Sequence, residues 1–376
     1  MAAIPEHQDP TLEAIDEALE ATQDRSQRPY LGMSSIGRVC KRALWYGFRW
    51  ASVPQFDAAT LKRFEDGHRG EDLQAARLRL VRGIELHTVD TGTGQQFGFQ
   101  DFGGHFRGHM DGAICGLIQA PKTFHVWEHK QTDDKKQAAL IKAKQAHGEK
   151  QALCEWDLTY YAQGQLYMHY SGMERHYLTV ATPGGRSTVS CRTEYVKEDA
   201  EEFVAKAKEV IFAAGPLERI SDKPDWYACK WCDHRAICHE QRIPQVSCRT
   251  CAHSTACADG TWKCEAHAFT LTEQHQRGGC PDHLFIPSLI TGAELVDADI
   301  APVPMWVRYK FGDGEFINCS AHYKKETGEI AYTSVEMSRL TASVVADKTF
   351  QALLTTFNGT VVAAPAADFN DSLENV

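Results

Sequence analysis

The chain has 376 residues and a mass of 42.0 kDa, a length that accommodates two or three domains at roughly 150 residues each. Hydrophobic residues at 43% and charged residues at 24% exclude a disordered or fibrous chain, and no apolar run reaches the roughly 18 residues that a membrane helix needs. The net charge of −10 sits at the ends: Glu6, Asp9, Glu13, Asp16, Glu17, Glu20 and Asp24, with Asp368, Asp371 and Glu374, account for all of it and leave the body neutral, so charge alone does not exclude a nucleic-acid partner.

In chain order, Asp9-Pro10 reads as the cap and first turn of a helix with apolar Leu12, Ile15 and Leu19 at helical spacing. After a linker, Gln27 to Gly32, Ser34-Ser35 caps a segment from Ile36 to Trp50, and residues 57–82 read as a long helix. Strand patterns follow at Gly94 to Gln100, His105 to Cys115 and Thr123 to Gln131. Asp133 to Ala152 and Asp157 to Tyr170 read as helices, Arg175 to Thr182 and Ser187 to Tyr195 as strands, and Glu198 to Ala213 as a helix. This order predicts an α/β fold. Beyond it, 248–284 is loop-rich, Gly312-Asp313-Gly314 reads as a hairpin turn, Ile330 to Met337 as a strand, and Pro302, Pro304 and Pro365 punctuate the tail. Four regions are expected: an acidic helical segment 1–30, a core 31–240, a Cys/His-rich segment 241–285, and a β-rich module 286–376 with an acidic end.

Thirteen cysteines are many for a chain whose start, Met1 to Pro10, has neither a basic nor an apolar leader region and is therefore expected in a cytosol, where disulfides are disfavoured. Metal is the expected use. Two triplets share one spacing, Cys229-x2-Cys232-x5-Cys238 and Cys248-x2-Cys251-x5-Cys257, and a C-x2-C pair brings two thiolates onto one ion through a tight turn. Cys248, Cys251, Cys264 and Cys280 make a closed four-thiolate zinc set, with His267, His283 and Cys257 as substitutes. Such a site is expected to be structural. Cys115, Cys154, Cys191 and Cys319 sit singly in apolar contexts and read as buried thiols.

The acids carry the chemistry. Glu128 and Lys130 lie two apart on one strand and so share a face. Asp111 stands on the preceding strand between Gly108 and Gly112, and Glu71 follows Gly67-His68-Arg69-Gly70 on the long helix. Three carboxylates converging with a lysine suit a hard divalent cation and an activated water, the needs of phosphodiester hydrolysis. Gln163 and Tyr167, four apart, share a helix face.

These residues resemble the RecB-like branch of the PD-(D/E)XK nuclease superfamily. Asp111 matches its first acid, Glu128-His129-Lys130 its E-x-K, Gln163-x3-Tyr167 its Q-x3-Y, and Glu71 its helix-borne acid, with His68 a weaker candidate. Cys40 before the core and Cys229, Cys232 and Cys238 after it match the iron–sulfur subset, which includes AddB-type nucleases and CRISPR-associated RecB-like exonucleases. The resemblance covers about 34–240. It implies a central mixed sheet flanked by helices, as in restriction endonucleases, with Mg²⁺ or Mn²⁺ on Glu71, Asp111 and Glu128. It further implies Gln163 and Tyr167 on the DNA backbone, and a four-iron four-sulfur cluster on the four cysteines. The second triplet is an alternative holder of that cluster.

The implied function is a metal-dependent DNA nuclease, an exonuclease before an endonuclease, acting on ends or single strands in recombination, repair or phage DNA processing. Its expected setting is the cytoplasm of a bacterium, or a phage protein in a bacterial host, with DNA and a recombination, annealing or CRISPR-associated protein as partners and no membrane. The alternative is a non-catalytic iron–sulfur DNA-binding or assembly subunit. Two basic clusters, Arg38, Lys41, Arg42 and Arg49, then Lys135, Lys136, Lys142, Lys144 and Lys150, read as solvated helix faces or as phosphate contacts. In the tail, Trp306, Tyr309, Phe311 and Phe316 read as the module's core or as platforms for base stacking.

Overall fold

The computed structural model describes residues 9–301, 303–326, 330–357, 359 and 361; Glu6, Pro302, Pro365, Asp368, Asp371 and Glu374 lie outside them. The chain forms two compact units, Met1–Leu44 with Val53–Ile211, and Trp45–Ser52 with Phe212–Val376. It is a mixed α/β protein. Among the described residues no helix is long and apolar enough to cross a membrane.

The elements of the first unit are α1 (Pro10–Thr22), β1 (Leu31–Gly32), α2 (Lys41–Phe48), whose second turn counts with the other unit, α3 (Ala58–Arg79), β2 (Glu85–His87), β3 (Gly98–Asp101), β4 (Phe106–His109), β5 (Gly112–Cys115), β6 (His125–Gln131), α4 (Asp134–His147), α5 (Ala152–Trp156), α6 (Leu158–Ser171), β7 (Arg175–Ala181), β8 (Thr188–Glu194) and α7 (Lys197–Phe212). Asp9, Asp57, Asp133 and Asp157 cap α1, α3, α4 and α6 by accepting from backbone amides of the first turn. The expected strand His105 to Cys115 is divided at Met110-Asp111, so β4 and β5 enter different sheets.

The main sheet runs β2-β5-β6-β7-β8, antiparallel except for the central β6–β7 pair. That parallel pair needs a crossover, supplied by α4, α5 and α6. β6 is buried from His125 to His129, as expected for a strand covered on both faces. Against it Leu140, Leu153, Tyr161, Leu178 and Val180 form one cluster, and Leu78, Leu86, Ile114 and Trp127 another. α6 is buried continuously from Tyr161 to Met168, the pattern of a helix enclosed by the core, and ends at Gly172 with φ +73°.

This packing gives one pH prediction. His176 on β7 is 1% exposed, and neither ring nitrogen has a partner among the described residues. Burial, with Lys130 and His125 adding repulsion, pushes it from 6.5 to about 3. A folded value below the unfolded one leaves stability intact above pH 6.5 and removes it as the pH falls toward 3, by up to about 5 kcal/mol. His176→Gln is expected to flatten the fall in urea midpoint between pH 6.5 and 4; the same slope in both proteins would place the acid sensitivity elsewhere.

The second unit carries α8 (Tyr227–Lys230), α9 (Arg235–His239), β9 (Ser254–Ala256), β10 (Trp262–Cys264), β11 (Phe269–Leu271), α10 (Glu273–Arg277), β12 (Glu294–Ala298), β13 (Trp306–Phe311), β14 (Gly314–Cys319), α11 (Ala321–Glu326), β15 (Ala331–Thr333), α12 (Ser334–Met337), α13 (Ala342–Ala346) and α14 (Lys348–Thr356). Two sheets result, β11-β10-β9 and β12-β13-β14-β15. The hairpin at Gly312-Asp313 pairs Phe311 with Gly314 as read from sequence.

Two sequence readings differ here. The strand expected over Ile330 to Met337 is only β15, after which Thr333 caps α12 through a capping box with Glu336. With α11 to α14, the tail carries helices as well as strands. Its aromatics are mostly core: Tyr309 and Phe316 are 1% and 2% exposed and stack at 5.2 Å, while Trp306 packs on Tyr323. Of the basic clusters, Lys41, Lys136, Lys144 and Lys150 pair with Glu209, Asp157, Glu149 and Glu194, and Arg49 is buried.

Candidate active site

Asp111 and Glu128 are locked together by two reciprocal bonds. The Asp111 amide donates to Glu128 Oε1 at 3.2 Å, and the His129 amide donates to Asp111 Oδ2 at 2.7 Å. The antiparallel register that sets Gly112 opposite Trp127 brings this about, since the residues one step further along are Asp111 and Glu128. Lys130 Nζ donates to Glu128 Oε2 at 2.8 Å, from the same face of β6, and Gln163 Nε2 donates to that oxygen at 3.0 Å. Gln163 also donates to Tyr167 Oη at 3.2 Å, one helical turn on.

The electrostatics follow from burial. Glu128 is 1% exposed; desolvation first, then repulsion from Asp111, raises it from 4.5 to about 8, although Lys130 opposes the shift. Glu71 is raised to about 7 by burial and then by Asp111, again against Lys130. For Lys130 burial acts against the charge, but Glu128 and Asp111 outweigh it and hold the ammonium above its ordinary value. Three acids and one cation therefore share a site in which burial and mutual repulsion disfavour carboxylate charge, a penalty that a divalent cation relieves.

Close approach brings Glu71 there. At Gly70, next to it on α3, an added Cβ would lie 1.8 Å from Gln131 Oε1 and 3.3 Å from His129 Nε2, so α3 sits directly on β6. His68 is exposed on the same helix. Gln163 and Tyr167 are 5% and 1% exposed; Gln163 holds Glu128, and Tyr167 accepts from Gln163. Thr179 on β7 is a further member that no sequence motif marks. Its hydroxyl donates to the Glu128 carbonyl, accepts from Trp127 Nε1 at 3.1 Å and lies 3.0 Å from His129 Nδ1, fixing the backbone on which the acids stand.

The cysteines are placed as follows. Cys40 immediately precedes α2 in the first unit. In the second, Cys229 lies in α8, Cys238 in α9 and Cys232 between them, its amide donating to the Cys229 carbonyl at 3.1 Å. Cys248, Cys251, Cys264 and Cys280 line one cavity, and Cys257 does not. Of the single thiols, Cys191 and Cys319 are buried and Cys115 and Cys154 half-buried. As the side chains stand, no group of three or more His, Cys, Asp or Glu among the described residues is placed to hold a metal ion.

No protein-family model matches the sequence, and no curated protein matches it. Several solved structures are similar at low superposition. SSO0001 is 15% identical, with a TM-score of 0.35 over 61% of this chain and 96% of its own. LHK-Exo, an alkaline exonuclease from Laribacter hongkongensis, is 14% identical, with a TM-score of 0.33 over 52% of this chain and 90% of its own. LHK-Exo in complex with dAMP gives 13%, 0.33, 53% and 90% in the same order.

Proposed function

We propose that this chain is a Mg²⁺- or Mn²⁺-dependent deoxyribonuclease of the PD-(D/E)XK type, with exonuclease as the leading mode. The observation that carries the reading is the Asp111–Glu128–Lys130 constellation, in which two carboxylates are fixed face to face and one of them is gripped by Lys130 and Gln163. Asp111, Glu128 and Glu71 offer the carboxylate oxygens that a hard cation takes, and the crowding that raises Glu71 and Glu128 is what such an ion would relieve. When bound, that ion supplies Lewis-acid polarisation of the phosphate and a water of lowered pKa.

The protein's own groups do the rest. Lys130, held charged and tethered to Glu128, presents an ammonium to the attacking water and to the negative charge that builds on phosphorus. Gln163 fixes the Glu128 carboxylate so that the acid does not reorganise during the reaction, and Tyr167 receives the other Gln163 hydrogen bond. End-labelled single- and double-stranded DNA tests the reading. Degradation with Mg²⁺ or Mn²⁺, and none with chelator, is expected, and the order of products gives polarity and separates exonuclease from endonuclease. DNA binding without degradation under every metal would favour the non-catalytic subunit.

The iron–sulfur assignment of Cys40, Cys229, Cys232 and Cys238 is carried by motif order, and thiolates are the donors such clusters take. Cys232→Ala is expected to lose iron, brown absorbance and yield. Full iron content in a stable Cys232→Ala protein would remove this residue from the ligand set.

A further inference from the structure

The second cysteine group lies wholly in the second unit and outside the proposed nuclease chemistry. Three chain segments supply it. Cys248 and Cys251 flank a single helical turn, the Cys251 amide donating to the Cys248 carbonyl at 3.1 Å. Cys264 ends β10, paired with Ser254 on one side and Phe269 on the other. The Cys280 loop is drawn in by the Cys248 amide, which donates to the Gly278 carbonyl at 2.8 Å, and by a bridge between Cys251 and Phe285. The four thiols line one small cavity, and thiolate sulfur is the donor that a closed tetrahedral zinc site takes.

Three histidines line the same cavity: His267 Nε2 lies 3.4 Å from Asp282 and 3.8 Å from Cys280 Sγ, His283 Nε2 lies 3.0 Å from the Ser247 carbonyl and 3.3 Å from Thr250 Oγ1, and His253 Nε2 is buried with no hydrogen-bond partner among the described residues.

A second observation points to the same ligand. Arg49, 4% exposed, donates to the carbonyls of Arg249 and Ser254 at 3.4 and 3.1 Å and to that of Ala213 at 3.4 Å, with its guanidinium near the rings of Trp45 and Trp262. Arg249 lies between Cys248 and Cys251, and Ser254 is the strand partner of Cys264, so Arg49 grips the segment that carries two of the thiols and pairs with the strand of a third. A buried cation held by neutral carbonyls is costly without a nearby anion.

We infer that Cys248, Cys251, Cys264 and Cys280 bind one Zn²⁺ as a four-thiolate structural site, and that Arg49 is the positioning residue that balances its negative charge. Four thiols give their protons to solvent, and the ion with four thiolates carries a net charge of −2, which the guanidinium offsets in part. The product is a clamp that fastens the β9–β11 sheet to the loop carrying Cys280, a stretch with little core of its own.

The test uses the full chain purified in reductant without added metal. One zinc per chain is expected, with an X-ray absorption shell of four sulfurs at about 2.3 Å, and cobalt exchanged into the site should give the visible bands of tetrahedral cobalt thiolate. Zinc is expected to be lost in Cys264→Ser and kept in Cys257→Ser and in Cys232→Ala, which separates this site from the iron–sulfur ligands. By chelator competition Arg49→Met should hold zinc about 10- to 100-fold more weakly, with Arg49→Lys restoring part of the loss because the charge returns. If Cys264→Ser fails to fold, the wild-type sulfur shell and cobalt spectrum still decide. A folded, zinc-free wild type, a shell containing imidazole nitrogen, or zinc retained in folded Cys264→Ser would overturn the ligand set. Equal zinc affinity in wild type and Arg49→Met would overturn the role of Arg49.

Discussion

Asp111→Ala is expected to abolish cleavage outright, whereas Lys130→Ala keeps DNA affinity and loses roughly 100- to 1000-fold in rate, the usual consequence of removing one fixed group that stabilises developing charge. The difference comes from what each residue touches. Asp111 holds the His129 amide and repels both Glu128 and Glu71, so its carboxylate is part of the cation-seeking set. Lys130 touches only one side of Glu128, whose other carboxylate oxygen keeps its bond from the Asp111 amide. Asp111→Asn is the companion variant, because its amide oxygen still accepts from His129 and preserves the fold while the charge is gone. Initial rates on end-labelled DNA at saturating Mn²⁺ separate these outcomes. A Lys130→Ala protein that cuts at the wild-type rate would remove the lysine from the chemistry.

The second large effect is on stability. Gly37 lies where the chain passes the start of α6, and a Cβ there would fall 2.4 Å from Thr159 Cα and 2.5 Å from the Leu158 carbonyl oxygen. Both neighbours are backbone, so neither rotates away, and the clash must be absorbed by shifting the helix that carries Gln163 and Tyr167. Gly37→Val is expected to cost about 3 kcal/mol, a drop of roughly 6–12 °C in Tm for a unit of this size, with Gly37→Ala smaller. Thermal unfolding of both variants checks this; a Gly37→Val protein that melts with wild type would show that the chain gives way there without moving α6.

The acids and the lysine were legible because strand alternation and helical spacing are local rules: Glu128 and Lys130 do share a face, and Asp111 does stand opposite them. Their partners were not. Thr179 reaches the site only through the parallel pairing of β6 with β7, some fifty residues away in sequence, and nothing local marks a threonine for that. Gln163 and Tyr167 were legible as a pair, but their burial, and with it the grip of Gln163 on Glu128, depends on α6 being enclosed by the core. Arg49 sat in a basic run and read as surface. Trp45, Trp50 and Trp262 bury it and its neighbour Arg249 in an aromatic core, which no charge count along the chain reveals. Gly37 and Gly70 were invisible for a related reason, since a close approach is a property of two segments.

The most direct measurement is a calorimetric Mn²⁺ titration of wild type, Asp111→Ala and Lys130→Ala at one pH near neutrality. Wild type and Lys130→Ala are expected to bind Mn²⁺ with similar affinity, and Asp111→Ala to show no heat above dilution. Asp111→Ala binding Mn²⁺ as tightly as wild type would contradict the placement of the catalytic cation on Glu71, Asp111 and Glu128.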